Sequence, residues 1–351
     1  MKDVLKIVFV IIGTLIGAGF ASGQEMYIFF FSHGIKGLIG IVISSILMGI
    51  IIYKTLNILD VYDIKTYKDF LDIVLLRKKE KNIRNKYFNM KEIINCVINI
   101  FILVTFFIMI AGFGAYFEQE FRINSLVGSG ILATLSFIVF LTNVKGVVKA
   151  NEILIPILIL FLVSIGIINI ISVVTSKEIS NLQNYLTNQK SIKYIIDSVL
   201  YCSYNSILLI PVLITLKGYL KSKKQITFIS IISTIIIIIL SVIIFLLLVR
   251  IDVDISKIEM PAAYVVSNMS KFFKFIYAFI ILGSIFTTSI SLGTSFLQNV
   301  VRNEKSYTQI AIIMCITSIL ISKIGFSNLI NLLYPVFGYL GLVQTWKILK
   351  Q

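Results

Sequence analysis

Ser284, Thr287, Thr288, Ser289, Ser291, Thr294 and Ser295 crowd into one stretch of an otherwise apolar run near the C-terminal end of this 351-residue chain. Ser284, Thr287 and Thr288 stand at i, i+3 and i+4, so on a helix they share one face. Hard cations take oxygen ligands, and a ring of hydroxyls and carbonyls can replace the hydration shell of sodium. Serine and threonine are also ordinary packing residues between membrane helices. The cluster alone leaves both readings open.

A second segment tips the balance toward ion binding. Gly13, Gly17, Gly19 and Gly23 fall inside the first long apolar run, within Gly13-Thr14-Leu15-Ile16-Gly17-Ala18-Gly19-Phe20-Ala21-Ser22-Gly23-Gln24-Glu25. Each glycine weakens a helix by roughly 1 kcal/mol relative to alanine. Inside a bilayer an opened backbone survives only where protein or a watery cavity satisfies its N–H and C=O groups. A break here therefore marks a cavity, where freed carbonyls can hold a cation and freed amides an anionic group. A similar polar interruption, Tyr201-Cys202-Ser203-Tyr204-Asn205-Ser206, lies in the sixth apolar run, with Pro211 removing a helical hydrogen bond just beyond it. Paired interruptions in corresponding spans point to a central binding site.

Glu25 and Asp197 are the main acids well inside apolar runs, both in the outer half of a span expected to be interrupted. Intramembrane acids are costly and face a cavity or a partner, which suits a gate or a proton-coupling group as well as a structural hydrogen bond. His33 is the only histidine and cannot build a zinc site alone. Cys96, Cys202 and Cys315 are far apart and form no ligand pattern, so they read as small buried side chains. No HExxH, GxSxG, paired-acid or glycine-rich phosphate motif is present, so neither an enzyme nor a catalytic residue is expected.

The elements that must hold these groups are membrane helices. Hydrophobic residues make up 58% of the chain and charged ones 14%, with a mean hydropathy of +0.96, whereas soluble proteins carry about 25% charged residues. Apolar runs fall at residues 4–31, 35–56, 93–117, 125–144, 151–175, 192–216, 226–249, 271–300, 307–322 and 326–346. Most reach the roughly 20 residues that a bilayer requires, which predicts an all-α integral membrane protein of about ten spans. Residues 1–175 form one five-helix half, with a basic loop at 57–91, and residues 191–351 form the other. Because five is odd, the two halves must enter the membrane in opposite orientations, and the spans expected to be interrupted are the first and the sixth.

The net charge of +15 matters here through its distribution. With the N-terminus inside and ten spans, most of the 32 lysines and arginines fall in cytoplasmic loops, so the positive-inside rule puts both termini in the cytoplasm of a multi-pass cell-membrane protein. The run Arg77-Lys78-Lys79-Glu80-Lys81 reads as a topology signal on a solvated loop rather than a nucleic-acid site. Lys2, Lys6 and Gly19-Phe20-Ala21 imitate a cleavable secretory signal. The apolar run resumes at Met26 to Phe31, however, so the segment is expected to be retained as a span.

Ile16-Gly17-Ala18-Gly19-Phe20 resembles the first-helix signature of the amino acid–polyamine–organocation superfamily, whose fold is the five-plus-five inverted repeat of LeuT-type transporters. The longer string Gly17 to Glu25 is similar to that of YkvI-type bacterial membrane proteins, a group of candidate amino-acid permeases. The resemblance spans essentially the whole chain through its ten-span layout. It implies a sodium site made by the carbonyls of Gly13, Ile16 and Ser284 and the hydroxyls of Thr287 and Thr288. It implies a substrate carboxylate on the amides of Ala18 and Gly19, with Tyr201, Ser203, Tyr204 and Asn205 on the opposite wall. One position departs from the neurotransmitter-symporter relatives, since Gly23 stands where they carry a gating arginine. Proton-driven relatives place a lysine from the fifth span at the sodium site, and here Lys149 reaches only the margin of that span.

The expectation is thus a sodium-coupled, alternating-access transporter of a small amphipathic solute such as an amino acid. A proton-coupled transporter and a non-transporting membrane sensor or partner are the alternatives. Sodium is the only bound ion expected, and the lipid bilayer and the solute are the expected partners, with no nucleic acid and no obligate protein. The topology is directly testable. Cysteines placed at Lys79 and Lys223 should resist an impermeant reagent in intact cells while one at Lys257 reacts; labelling of all three from outside would overturn the predicted orientation.

Overall fold

The computed structural model describes all residues except 1, 76–83, 176–191, 252–257, 259, 268, 302, 325 and 351. The run Arg77 to Lys81 and Lys257 therefore lie outside the described residues. The described residues are helical almost throughout, as lipid requires of backbone that cannot hydrogen-bond to water. Among the described residues, seven helices are long and apolar enough to cross a membrane: α4 (Ile35–Val61), α6 (Arg84–Phe121), α8 (Asn143–Thr175), α9 (Lys193–Thr215), α10 (Lys223–Leu248), α12 (Lys271–Val300) and α13 (Glu304–Ile321). The shorter α7 (Ser125–Phe140) is also apolar, and α14 (Phe326–Leu349) closes the chain. The remaining apolar run, at the N-terminus, is divided among α1 (Lys2–Leu15), α2 (Ala18–Ala21) and α3 (Gln24–Phe29).

The distribution of side chains is that of a membrane interior. Large apolar residues stand exposed along the outer faces, including Ile46 and Ile50 on α4, Leu160 and Ile171 on α8, Ile231 and Ile235 on α10, and Ile313, Ile316 and Leu320 on α13. The hydroxyls of α12, from Ser284 to Ser295, are buried instead. In water such an arrangement would leave a large aggregation-prone surface; against lipid it needs no partner. Small residues let the helices approach closely. A Cβ on Gly37 would lie 2.0 Å from the Phe30 carbonyl oxygen, and one on Gly341 would lie 2.3 Å from that of Ser203.

The break in the first span is present, and it is double. The helical ladder ends as Ile16 N–H reaches Ile12 O, and Gly17 then takes an extended conformation at φ −89° and ψ −168°. A second interruption follows at Gly23, which is left-handed at φ +84° and starts α3. The sixth span corrects the expectation: α9 runs unbroken through Tyr201 to Ser206 and carries Pro211 inside it. Its polar side chains turn back onto their own helix, Asn205 Nδ2 donating to Tyr201 O at 3.0 Å and the Ser206 hydroxyl to Ser203 O at 2.8 Å. This back-bonding satisfies Asn205 and Ser206 without opening the backbone.

The basic loop at 57–91 also holds more order than expected. Helix α4 continues to Val61, and a short amphipathic helix, α5 (Tyr67–Leu75), follows. It buries Tyr67, Phe70, Leu71 and Val74, one face at i, i+3, i+4 and i+7. Tyr67 N–H donates to Asn299 Oδ1 of α12 and its hydroxyl to Gln344 Oε1 of α14, so α5 covers the ends of the bundle.

Polar clasps gather both ends of the chain on this same face. Lys221 pairs with Asp3 at 2.5 Å, Lys217 with Asp63 at 3.0 Å, and Lys54 Nζ donates to Leu349 O at 2.7 Å. The Lys217 ammonium that bonds Asp63 holds its carboxyl below the usual range. The two termini therefore lie on one side of the bundle, consistent with an even number of crossings.

Gly23, like Gly34 at φ +59°, is a position where backbone geometry dictates the residue. A Cβ added at Gly23 would meet Leu248 Cδ2 at 3.0 Å and the Ala262 backbone nitrogen at 3.2 Å, in a conformation that L-residues avoid. Gly23→Ala should therefore cost at least about 1–2 kcal/mol and lower the melting temperature of the purified protein. Gly130→Ala, on the helical α7 with nothing within 4 Å of the new methyl, should be neutral or stabilising. Equal melting temperatures for the two variants would contradict the left-handed turn.

Candidate functional site

The α1–α2 break leaves carbonyls without their helical donors. In a continuous helix the Ala18 amide would serve Thr14 O; here it points instead at Met109 Sδ of α6, 3.5 Å away. The freed oxygens converge on one side chain of α12. Thr288 Oγ1 lies 2.7 Å from Gly13 O, 3.2 Å from Ile16 O and 3.4 Å from Thr14 O. A threonine hydroxyl carries a single proton, so it satisfies one of these acceptors at a time. The result is a buried cluster with more carbonyl oxygens than donors, and hence a negative potential in a low-dielectric setting.

The cluster contains oxygen atoms alone, the donor set that suits a hard monovalent cation such as sodium. Among the described residues there is no group of three or more His, Cys, Asp or Glu side chains that would favour a transition metal. Of the five predicted ligands, Gly13, Ile16 and Thr288 come together directly. Ser284 lies one turn before Thr288 on α12 and Thr287 directly precedes it, and the two bond each other, the Thr287 hydroxyl donating to Ser284 O at 3.0 Å. Lys149 is exposed, so no ammonium from that position fills the space.

Close packing holds the cluster in place. A Cβ on Gly13 would fall 1.8 Å from Asn151 Oδ1 and 3.0 Å from Ile155 Cδ1, both on α8. Glycine at 13 thus suits the approach of the α8 side chains rather than a special backbone conformation, and a larger residue would have to displace Asn151. Gly17, by contrast, would place a Cβ at ordinary contact distance, 3.4 Å from both Met109 Sδ and Thr288.

Beside the break lies a small cavity of about 10 Å³, lined by Ile12, Ile16 and Phe20, by Ser44, Ser45 and Met48 of α4, and by Tyr201 and Asn205 of α9, with Ile237 and Leu240 of α10. That volume holds about one water molecule. Of the residues expected at the substrate wall, Tyr201 and Asn205 thus face this cavity, one turn apart on α9. Ser203 and Tyr204 are not among the lining residues: the Ser203 carbonyl abuts Gly341 of α14, and the Tyr204 hydroxyl donates to Glu25 Oε1 at 3.4 Å. Ala18 and Gly19 are buried in α2 at the other side of the break.

The two acids occupy separate sites on the opposite side of the break from α1. Glu25 of α3 is buried and faces Tyr204. Asp197, in the first turns of α9, accepts from His33 Nε2–H at 2.7 Å, with His33 buried in the turn that follows α3. Sequence reasoning assigned His33 no partner, because 164 residues separate the pair and only the fold brings them together. Tyr277 was likewise missed: its hydroxyl, on α12, donates to Ala21 O at 2.7 Å. Ala262 N–H donates to Ser22 O at 2.8 Å, which docks α11 (Pro261–Ser267) on the same segment. The outer half of the first span is thereby tied to α9, α11 and α12.

No family model matches the chain. It is similar to YkvI of Bacillus subtilis (strain 168), an uncharacterized membrane protein, with 29% identity over 346 residues that cover 96% of this chain and 92% of YkvI. YyaD of the same organism, also uncharacterized, is 24% identical over 340 residues, covering 96% of this chain and 94% of YyaD. Among solved structures, the LeuT-fold protein MhsT, crystallised in complex with L-phenylalanine, superposes with a TM-score of 0.65 over 97% of this chain and 87% of MhsT, at 15% sequence identity. The chain is therefore a multi-pass membrane protein of the LeuT-type fold, similar to YkvI along nearly its whole length.

Proposed function

We infer that this chain is a secondary active transporter of a small amphipathic solute, an amino acid or related compound, that works by sodium-coupled alternating access. The observation that carries this reading is the convergence of the Gly13, Thr14 and Ile16 carbonyls on the one-proton hydroxyl of Thr288. A cation bound there would supply the positive charge that the surplus acceptors lack. Gly13, Ile16 and Thr288 are its first holders, and the Ser284 carbonyl and Thr287 hydroxyl complete the set.

The rest of the site fits such a cycle. The break at residues 16–17 lets the two halves of the first span tilt independently. The inner half is tied to α8 by Lys6–Glu152 at 3.9 Å and to the α9–α10 connection by Asp3–Lys221. The outer half is tied to α9, α11 and α12 by the contacts at Ala21, Ser22, Glu25 and His33. Thr288 joins the two regimes at their junction. The cavity beside it is largely apolar, with the polar ends of Ser44, Ser45, Tyr201 and Asn205, a lining suited to a solute with one polar and one apolar end. At about 10 Å³ the cavity is too small for an amino acid, and admitting one requires the surrounding helices to part. The L-phenylalanine held by MhsT is a solute of that kind; its carboxylate would take the amides of Ala18 and Gly19, the first of which would have to leave Met109 Sδ.

A proton-coupled cycle is the second reading, favoured by one observation: Glu25 is a buried carboxylic acid on the outer half-helix, bonded by Tyr204. Uptake of amino acids into proteoliposomes under imposed sodium, potassium or proton gradients separates the two. Sodium should drive uptake and potassium should not. Loss of one oxygen ligand costs about 1.5–3 kcal/mol, so Thr288→Ala should raise the sodium concentration for half-maximal uptake by roughly tenfold or more, and Thr288→Ser should retain most of the response. Thr287→Ala should act in the same direction. Uptake indifferent to sodium but driven by a proton gradient would transfer the coupling role to Glu25, and no uptake under any gradient would favour a non-transporting role.

A further inference from the structure

Asn151 carries an oxygen that the cation site as described does not use. It sits on α8, fully buried at 0% exposure. Its Nδ2 donates to Val147 O at 2.8 Å, one turn back on the same helix, which fixes the orientation of the amide and turns Oδ1 the other way. That oxygen is buried and bonded to nothing. It faces the first span at Gly13, close enough that a Cβ there would be 1.8 Å away.

An unpaired buried carbonyl is expensive, costing about as much as a lost hydrogen bond, and the neighbouring residue makes it more so. The carbonyl of Gly13 is the acceptor nearest to Thr288, at 2.7 Å. The Asn151 oxygen thus adds a further partial negative charge beside a cluster already richer in acceptors than donors. Leucine or valine at this position would pack against Ile155 and Gly13 without that cost. A side chain of this kind, oriented by its own amide nitrogen and placed within one residue of the carbonyl cluster, is accounted for if a cation is its partner.

We propose that Asn151 is a cation-binding residue, its Oδ1 adding an oxygen from α8 to those that α1 and α12 supply. This rests on the sodium reading above and extends it, because it makes the site a three-helix junction. The residue then selects for a bare, compact cation: a neutral amide oxygen ligates sodium without demanding the proton that a carboxylate at this position would also take. Lys6 and Glu152, paired immediately beside it, link the same turn of α8 to α1.

The test is the melting temperature of the purified full-length protein titrated with NaCl against KCl at constant ionic strength. Wild type should be stabilised by sodium and not by potassium. Asn151→Leu should raise the half-saturating sodium concentration about tenfold, while its melting temperature in KCl stays unchanged or rises, since the unpaired acceptor has gone. Asn151→Asp, which keeps an oxygen in place, should retain the sodium response, and Asn151→Ser gives the same reading as the leucine variant if that protein is not recovered folded. An unchanged half-saturating concentration in Asn151→Leu and Asn151→Ser, with Thr288→Ala raising it roughly tenfold or more, would overturn the role of Asn151 and leave the cation site standing. Equal losses of melting temperature in both salts would mark Asn151 as a packing residue. A wild-type protein that does not distinguish sodium from potassium would overturn both readings together.

Discussion

One threonine hydroxyl faces three backbone carbonyls, and much of this molecule is arranged around that mismatch. Thr288 can give its proton to Gly13, Thr14 or Ile16, never to all three. In a bilayer there is no water to take up the surplus, so the arrangement is stable only with tight packing around it or positive charge inside it. The protein provides the packing: α8 presses on Gly13 through Asn151 and Ile155, Met109 takes up the Ala18 amide, and α12 supplies the threonine from a face whose hydroxyls all point inward.

The same break sets the mechanical organisation. An unbroken first span would move as one rod. Here α1 and the α2–α3 segment meet at an extended residue, and each half carries its own polar attachments. The outer half contains a second interruption at Gly23, and α11 docks beside it through Ala262. The His33–Asp197 contact joins its far end to α9. Alternating access needs two regions that can separate and one point that senses the ligand, and the Thr288 contact is the point where both regions meet.

Much of this was legible in the sequence, for identifiable reasons. Long isoleucine-rich runs have one physical outcome, and four glycines in a short apolar segment announce a break, so the helical membrane architecture and the opening near Gly17 follow from residue type alone. Other features were not legible. The polar string Tyr201 to Ser206 looks like another break, yet Asn205 and Ser206 find acceptors on their own helix, a local solution that composition does not reveal. Helix α5 was hidden because its apolar face, Tyr67, Phe70, Leu71 and Val74, alternates with charges inside a basic loop. The partnership of His33 with Asp197 and the orphaned oxygen of Asn151 depend on which helices lie side by side, information that no single-chain pattern carries.

The central claim is that the broken first span and α12 together bind sodium. Equilibrium binding of radioactive sodium to the purified protein measures that without assuming any solute. Saturable binding that unlabelled sodium displaces and potassium does not, and that Thr288→Ala weakens by roughly tenfold or more, is the result expected of a cation held by the Gly13 and Ile16 carbonyls. Binding that is absent in the wild type, or that survives unchanged in Thr288→Ala, would contradict it.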